Sequence, residues 1–154
     1  MPRPLHYVLN PLTLAASATK AIVAVTAPTH TPSQLDRFQL KGKVGTADKT
    51  MKVRIKRASA AGTGTTLTAQ KRLKWDDTGT VQSTVIGTDS TDFDVEPTAE
   101  SNSVIHEGYV KPDGSYVYNG PSIIIPPATI VFIELTADDA PASNTINGSI
   151  DVTE

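Results

Sequence analysis

The chain has 154 residues, 38% hydrophobic and 19% charged, with no cysteine and a formal net charge of −2 at pH 7. That length supports one domain that buries about two-thirds of its unfolded surface. The absence of thiols excludes disulfides, thiolate metal sites and a cysteine nucleophile, and the net charge is too small to imply general attraction to nucleic acid or membrane.

Residues 1–19 read as an extended arm, distinct from a domain over 20–154. Met1-Pro2-Arg3-Pro4-Leu5-His6 is not a signal peptide, because a single base precedes an apolar stretch that Asn10 and Pro11 interrupt. Pro2, Pro4 and Pro11 oppose regular strand pairing. Leu5, Tyr7, Val8, Leu9, Leu12 and Leu14 are nevertheless too apolar for a free tail. The arm is expected to dock, on its own domain or on a neighbouring subunit, with Leu5, Tyr7 and Leu9 as candidate contacts.

From residue 20 the chain alternates apolar and polar residues over short stretches. Ala21–Thr26 is apolar and β-branched. Phe38, Leu40 and Val44 share one parity against Arg37, Gln39, Lys41 and Lys43. Met51, Val53 and Ile55 alternate with Lys52, Arg54 and Lys56. Further alternating stretches follow at Val81–Ile86, Phe93–Val95 and Val104–Val110. Val104–Val110 and Ser115–Tyr118 flank Lys111-Pro112-Asp113-Gly114 as one Tyr-rich hairpin, in which Pro fixes φ and Gly takes the left-handed position of the turn. Thr129–Leu135 reads as a buried strand, and Ile146–Val152 alternates again. Nine or ten short strands without a convincing helix predict an all-β fold: an antiparallel β-sandwich, jelly-roll-like, with an extended N-terminal arm. Alternation leaves the strand order open. The most apolar stretch, Ile123–Leu135, is broken by Pro126-Pro127 and carries Glu134, so no spanning helix is expected. A soluble chain made in the cytoplasm is the expectation.

Charge is segregated along the sequence. Residues 37–74 hold 11 bases against one acid, Asp48, and residues 75–154 hold 14 acids against one base, Lys111. If 36–44 and 50–57 form a hairpin through Gly45–Lys49, then Arg37, Lys41, Lys43, Lys52, Arg54 and Lys56 share one face. Like charges opposite one another are unfavourable, so this ribbon wants acids. Asp92, Asp94 and Glu96 have the matching spacing. They could lie in the same sheet or on the next copy of an oligomer, or the ribbon could face a foreign acidic surface; a solvated face with intrachain pairing is the plainer reading. Nucleic acid is disfavoured, because the one nearby aromatic, Phe38, has the opposite parity and no stacking platform is interleaved with the bases.

Signals for catalysis are poor. His6, His30 and His106 show neither HExxH nor HxH spacing, and no serine stands in GxSxG. His106 and Glu107 point to opposite faces of a strand. The carboxylates at Asp76-Asp77, Asp89–Asp94 and Asp138-Asp139 do not match a calcium loop of the EF type. Trp75 reads as a core or interface anchor. The carboxylate clusters read as solvated loop residues, with an irregular surface calcium site, as sandwich lectins have, as the alternative; no enzyme activity or cofactor is expected.

The order of features carries a resemblance. Met51-Lys52-Val53-Arg54-Ile55-Lys56-Arg57-Ala58-Ser59-Ala60-Ala61-Gly62-Thr63, followed by Glu96-Pro97-Thr98-Ala99 and a Pro-bounded apolar strand, resembles small structural proteins of tailed bacteriophages over residues 20–154. These are capsid decoration (cement) proteins and other head components with jelly-roll-like sandwiches. The resemblance implies a non-enzymatic virion protein on the capsid surface, partnered by the major capsid protein and by itself as a homo-oligomer, a trimer on local three-fold positions. It implies no catalytic residues. The alternative from another class is a carbohydrate- or receptor-binding sandwich of a phage tail or fibre. That protein would need exposed aromatics in a groove, for which Tyr109, Tyr116 and Tyr118 are the candidates.

Overall fold

Strict alternation makes a strand with one buried face, and a bulge is what lets the alternation change parity. Both features organise the computed structural model, which describes residues 3–15, 17–42, 51–71, 80–110, 114–137 and 144–154. Among the described residues there are twelve strands and no helix: β1 (Pro4–Leu14), β2 (Thr19–Thr26), β3 (Ser33–Gly42), β4 (Met51–Ala60), β5 (Thr65–Thr66), β6 (Gln70–Lys71), β7 (Thr84–Gly87), β8 (Thr98–Val110), β9 (Ser115–Tyr118), β10 (Ile123–Ile125), β11 (Ile130–Ala137) and β12 (Asn144–Thr153). One sheet runs β10-β3-β12-β1-β6, with β9 also paired to β3; the other runs β5-β7-β2-β11-β4-β8.

Eight strands carry the topology: β1, β2, β3, β4, β8, β10, β11 and β12. Taken in chain order, the first, eighth, third and sixth are neighbours in one sheet, and the second, seventh, fourth and fifth in the other. Consecutive members lie in opposite sheets at every step except β4 to β8. The fold is an antiparallel jelly roll.

That topology overturns two local expectations. The stretches 36–44 and 50–57 do not form a hairpin, since β3 and β4 belong to different sheets. Nor do β8 and β9 pair, because β9 sits on β3. Alternation tells which side chains are buried but not which strand is the neighbour, and both connections cross the sandwich. Gly114 does take the left-handed conformation, with φ of +84°; a Cβ there would lie 1.6 Å from the Gly42 carbonyl oxygen. Residues 43–50 and 111–113, Trp75, Asp76-Asp77 and Asp138-Asp139 lie outside the described residues.

The largest correction concerns the N-terminal segment. Residues 4–14 are no arm: β1 lies between β12 and β6, and Leu5, Tyr7, Leu9, Leu12 and Leu14 are all buried in the central core. The apolar positions run 5, 7, 9 and then 12, 14, a parity change that reads as irregular in sequence. The register with β12 shifts between Leu9 and Leu12, so Asn10-Pro11 is a bulge and both halves face inward. Pro11 needs no ladder N–H at a bulge, and Pro4 opens the strand, the two positions where a sheet tolerates proline. The Asn10 side-chain amide donates to the Thr88 carbonyl at 2.8 Å.

The two ends of the described chain close the β1–β12 ladder. The Arg3 N–H donates to the Glu154 carbonyl at 2.8 Å, and the Glu154 N–H to the Arg3 carbonyl at 3.1 Å. The nearly buried Glu154 carboxylate accepts from Arg3 Nη1 at 3.2 Å and from the Ser83 N–H at 2.7 Å. Burial, helped by the Glu154 charge, pushes the Tyr7 phenol up to about 12, which keeps this core side chain neutral. Between the sheets β1 meets Val23, Val25, Phe38, Val53, Ile55, Ile133 and Ile150 in one continuous cluster.

Candidate interaction surface

Alternation along β4 turns Met51, Val53 and Ile55 inward and Lys52, Arg54 and Lys56 outward, as the sequence pattern predicts. The structure therefore gathers the three bases on the outer face of the β2–β8 sheet. It does not bring them to Asp92, Asp94 and Glu96. Arg54 Nε donates to Glu107 Oε2 at 2.8 Å, and Lys52 Nζ lies 3.9 Å from Glu107 Oε1. Lys56 Nζ lies 2.8 Å from Glu134 Oε1, with both side chains largely buried. Glu134, Arg54 and Glu107 are register partners across β11, β4 and β8, an acid-base-acid row that relieves repulsion along the ribbon. The Arg54 hydrogen bond holds the Glu107 carboxyl below the usual carboxylate range. The pairing is intrachain, with different acids from those the spacing offered.

The acids at 92–96 do not form a strand. The Asp89–Asp92 turn folds the segment over the same outer face, and Phe93 is buried there against Ala21, Ala24, Ala58 and Phe132. Small alanines on neighbouring strands leave a shallow apolar bed around Phe132, and Phe93 fills it. Asp94 is exposed, its N–H bonded to the Thr63 carbonyl. Asp92 Oδ2 accepts from Lys20 Nζ at 2.6 Å, while Glu96 Oε2 accepts from the Ala21 N–H at 2.8 Å.

Glu96 has its carboxyl pushed up, first by burial and further by the hydrogen bond and charge of Asp92, against the Ala21 N–H and the Lys20 charge. A raised folded value means that the native state holds the proton more tightly than the unfolded chain. The resulting stability is complete below the ordinary glutamate range and is lost as pH rises through the raised value. At neutral pH the Glu96 carboxylate is thus a net cost, reduced by solvent because the side chain is 38% exposed. Glu96→Gln keeps an acceptor for Ala21 and removes the charge. It should raise the melting temperature by about one or two degrees at pH 7 and give no gain at pH 4, read by thermal denaturation at both pH values.

Glu107, Glu134 and Lys20 are the charged partners that spacing alone missed. Glu134 did carry a signal: a lone carboxylate in the apolar run Ile130–Leu135 must find a cation if the strand is buried. Leu5, Tyr7 and Leu9 are core side chains and not contacts to another molecule; on β1 it is Val8 that is exposed, at 55%.

The three tyrosines do not line a groove. Tyr118 is buried and stacks on Phe38 at 5.3 Å. Tyr116 stacks on Phe38 at 5.4 Å, with its hydroxyl 2.6 Å from His106 Nε2. Tyr109 alone of the three is exposed, with Lys52 Nζ 5.8 Å from its ring centre. His106 is a half-buried structural residue of this aromatic cluster. Among the described residues no group of three His, Asp or Glu is arranged to hold a metal ion, and no helix is long and apolar enough to cross a membrane.

Neither a known protein family nor a curated protein matches the sequence. Among solved structures, the chain is similar to the VP2 subviral particle of infectious bursal disease virus, with a TM-score of 0.29 and 8% identity over 99% of this chain and 41% of that one. It is also similar to a structure of the Gt strain of the same virus, with a TM-score of 0.26 and 12% identity over 99% of this chain and 40% of that one. The chain spans about two-fifths of the length of both. At these TM-scores the likeness carries no argument about function.

Proposed function

We propose that this chain is a non-enzymatic structural protein of a virus particle, a decoration (cement) protein that binds and stabilises the outside of a tailed-bacteriophage capsid through contacts with the major capsid protein and with copies of itself. The observation that carries this reading is the strand order. A jelly roll is the architecture of viral capsid domains, of lectins and of cupins. Against a cupin-like role, the interior here is filled by aliphatic and aromatic side chains and holds no cluster of metal-ligating groups among the described residues. Against a lectin-like role, two of the three candidate tyrosines are tied up with Phe38 and His106. A filled sandwich whose β1 and β12 are laddered together over most of their length suits a part whose work is mechanical.

The test is add-back. Particles prepared without the protein should bind the purified chain at a saturating, fixed ratio to the shell subunit. They should then withstand a higher temperature before releasing their genome. Failure to bind intact particles, together with retention on immobilised glycans, would replace this reading with the receptor-binding one.

A further inference from the structure

We propose that two copies of this chain associate strand to strand through the free edge of β8, about a two-fold axis that passes Gly108. An edge strand presents unpaired N–H and C=O groups, and proteins commonly blunt such edges by keeping them short. Three of the four described sheet borders follow that rule: β5 and β6 have two residues each, and β10 and β9 have three and four. The fourth border is β8, with 13 residues and, among the described residues, pairing on its β4 side alone.

The stretch His106–Val110 of β8 is regular and carries Glu107 as its one acid, without the lysine or proline that often guards an edge. No lysine, arginine or proline occurs between Val104 and Val110, and Val104, Ile105 and Tyr109 are 50%, 38% and 51% exposed. The regular stretch is short and well bounded. His106–Val110 pairs residue for residue with Met51–Ile55, whereas the register breaks at Ile105 and again over 100–103, where Asn102 has a φ of +51°. Lys111-Pro112 follows in sequence, and proline offers no N–H for a ladder.

A second copy is the matching occupant, because it brings the same bounded stretch 106–110, and charge narrows the register. A two-fold axis perpendicular to a sheet sets residue i opposite residue j only where i and j have the same parity, because opposed side chains must share a face. An axis at Glu107 would set the two Glu107 carboxylates directly opposite, which is unfavourable. An axis at His106 or earlier would push the pairing into the bulge. An axis at Gly108 overlaps the whole of 106–110 with itself. It sets Glu107 opposite Tyr109 of the second copy, whose ring lies beside that copy's Lys52. Across the joined sheet the row then runs Arg54, Glu107, and Tyr109 and Lys52 of the second copy, so each Glu107 keeps its own Arg54 and Lys52 and faces a tyrosine in place of a like charge. This contact builds a dimer, in place of the trimer that the phage resemblance implies, and it does not depend on the capsid reading.

The absence of native cysteine makes the test clean. The full chain should sediment as a concentration-dependent dimer. Glu107→Cys combined with Tyr109→Cys should give a covalent dimer under mild oxidation, because the thiol introduced at position 107 of each copy would face the thiol at position 109 of the other. Tyr109→Glu sets two carboxylate pairs across the axis and should weaken the dimer about tenfold. Val117→Glu, the same change at an exposed site on β9, should leave it intact. A native chain that is monomeric at every concentration overturns the proposal. So does a dimer that Val117→Glu breaks and Tyr109→Glu does not, or one whose double-cysteine form does not cross-link.

Discussion

A chain that starts at residue 20 should not fold. Removing residues 1–19 deletes β1, which makes nine register pairs with β12, and strips five fully or nearly fully buried side chains (Leu5, Tyr7, Leu9, Leu12 and Leu14) from the core. At about 1.5–3 kcal/mol for each buried side chain the gross loss is about 10 kcal/mol, comparable with the whole stability of a domain, about 5–15 kcal/mol. The deletion also exposes the inner faces of Val23, Val25, Ile133 and Ile150 and leaves the Glu154 carboxylate without Arg3. Circular dichroism of the truncated chain should show no cooperative thermal transition. A truncated chain that melts like the full one would mean that β1 is an appendage after all.

Phe38→Ala should be the most damaging single substitution in the aromatic cluster. Phe38 is fully buried, stacked on both Tyr116 and Tyr118. Those tyrosines in turn meet His106 on β8, so the cluster fastens β3 and β9 of one sheet to β8 of the other. Truncating a buried phenylalanine costs about 3–5 kcal/mol, and the lost aromatic pairs add about 0.5–1.5 kcal/mol each. The melting temperature should fall by about 10 °C or more, with loss of the near-ultraviolet tyrosine signal from a state that keeps its sheet content. A change below about 1 kcal/mol would show that the cluster is not a structural joint.

Much of the fold was legible in the residues, and the errors have physical causes. Strict alternation at 51–56 gave both the inward row and the outward basic row of β4. Glycine after Pro-Asp at 112–114 gave a left-handed position that the structure has. The apolar positions 5, 7, 9, 12 and 14 were equally informative, but the parity change between 9 and 12 hid a strand, since a bulge at Asn10-Pro11 is invisible until β12 supplies the register. Matched spacing misled in the opposite direction. Asp92, Asp94 and Glu96 have the period of a strand, yet Phe93 gains more by covering Phe132 and Ala58 than the segment gains by pairing. Neighbour choice across a sandwich is a long-range property, and short-range spacing does not encode it.

The proposed structural role in repeated copies on a virus shell is tested most directly by the number of copies per particle. Quantitative mass spectrometry of purified particles, with the major shell protein as internal standard, should find this chain in hundreds of copies at a fixed small ratio to the shell subunit. A handful of copies per particle, or none, would contradict it.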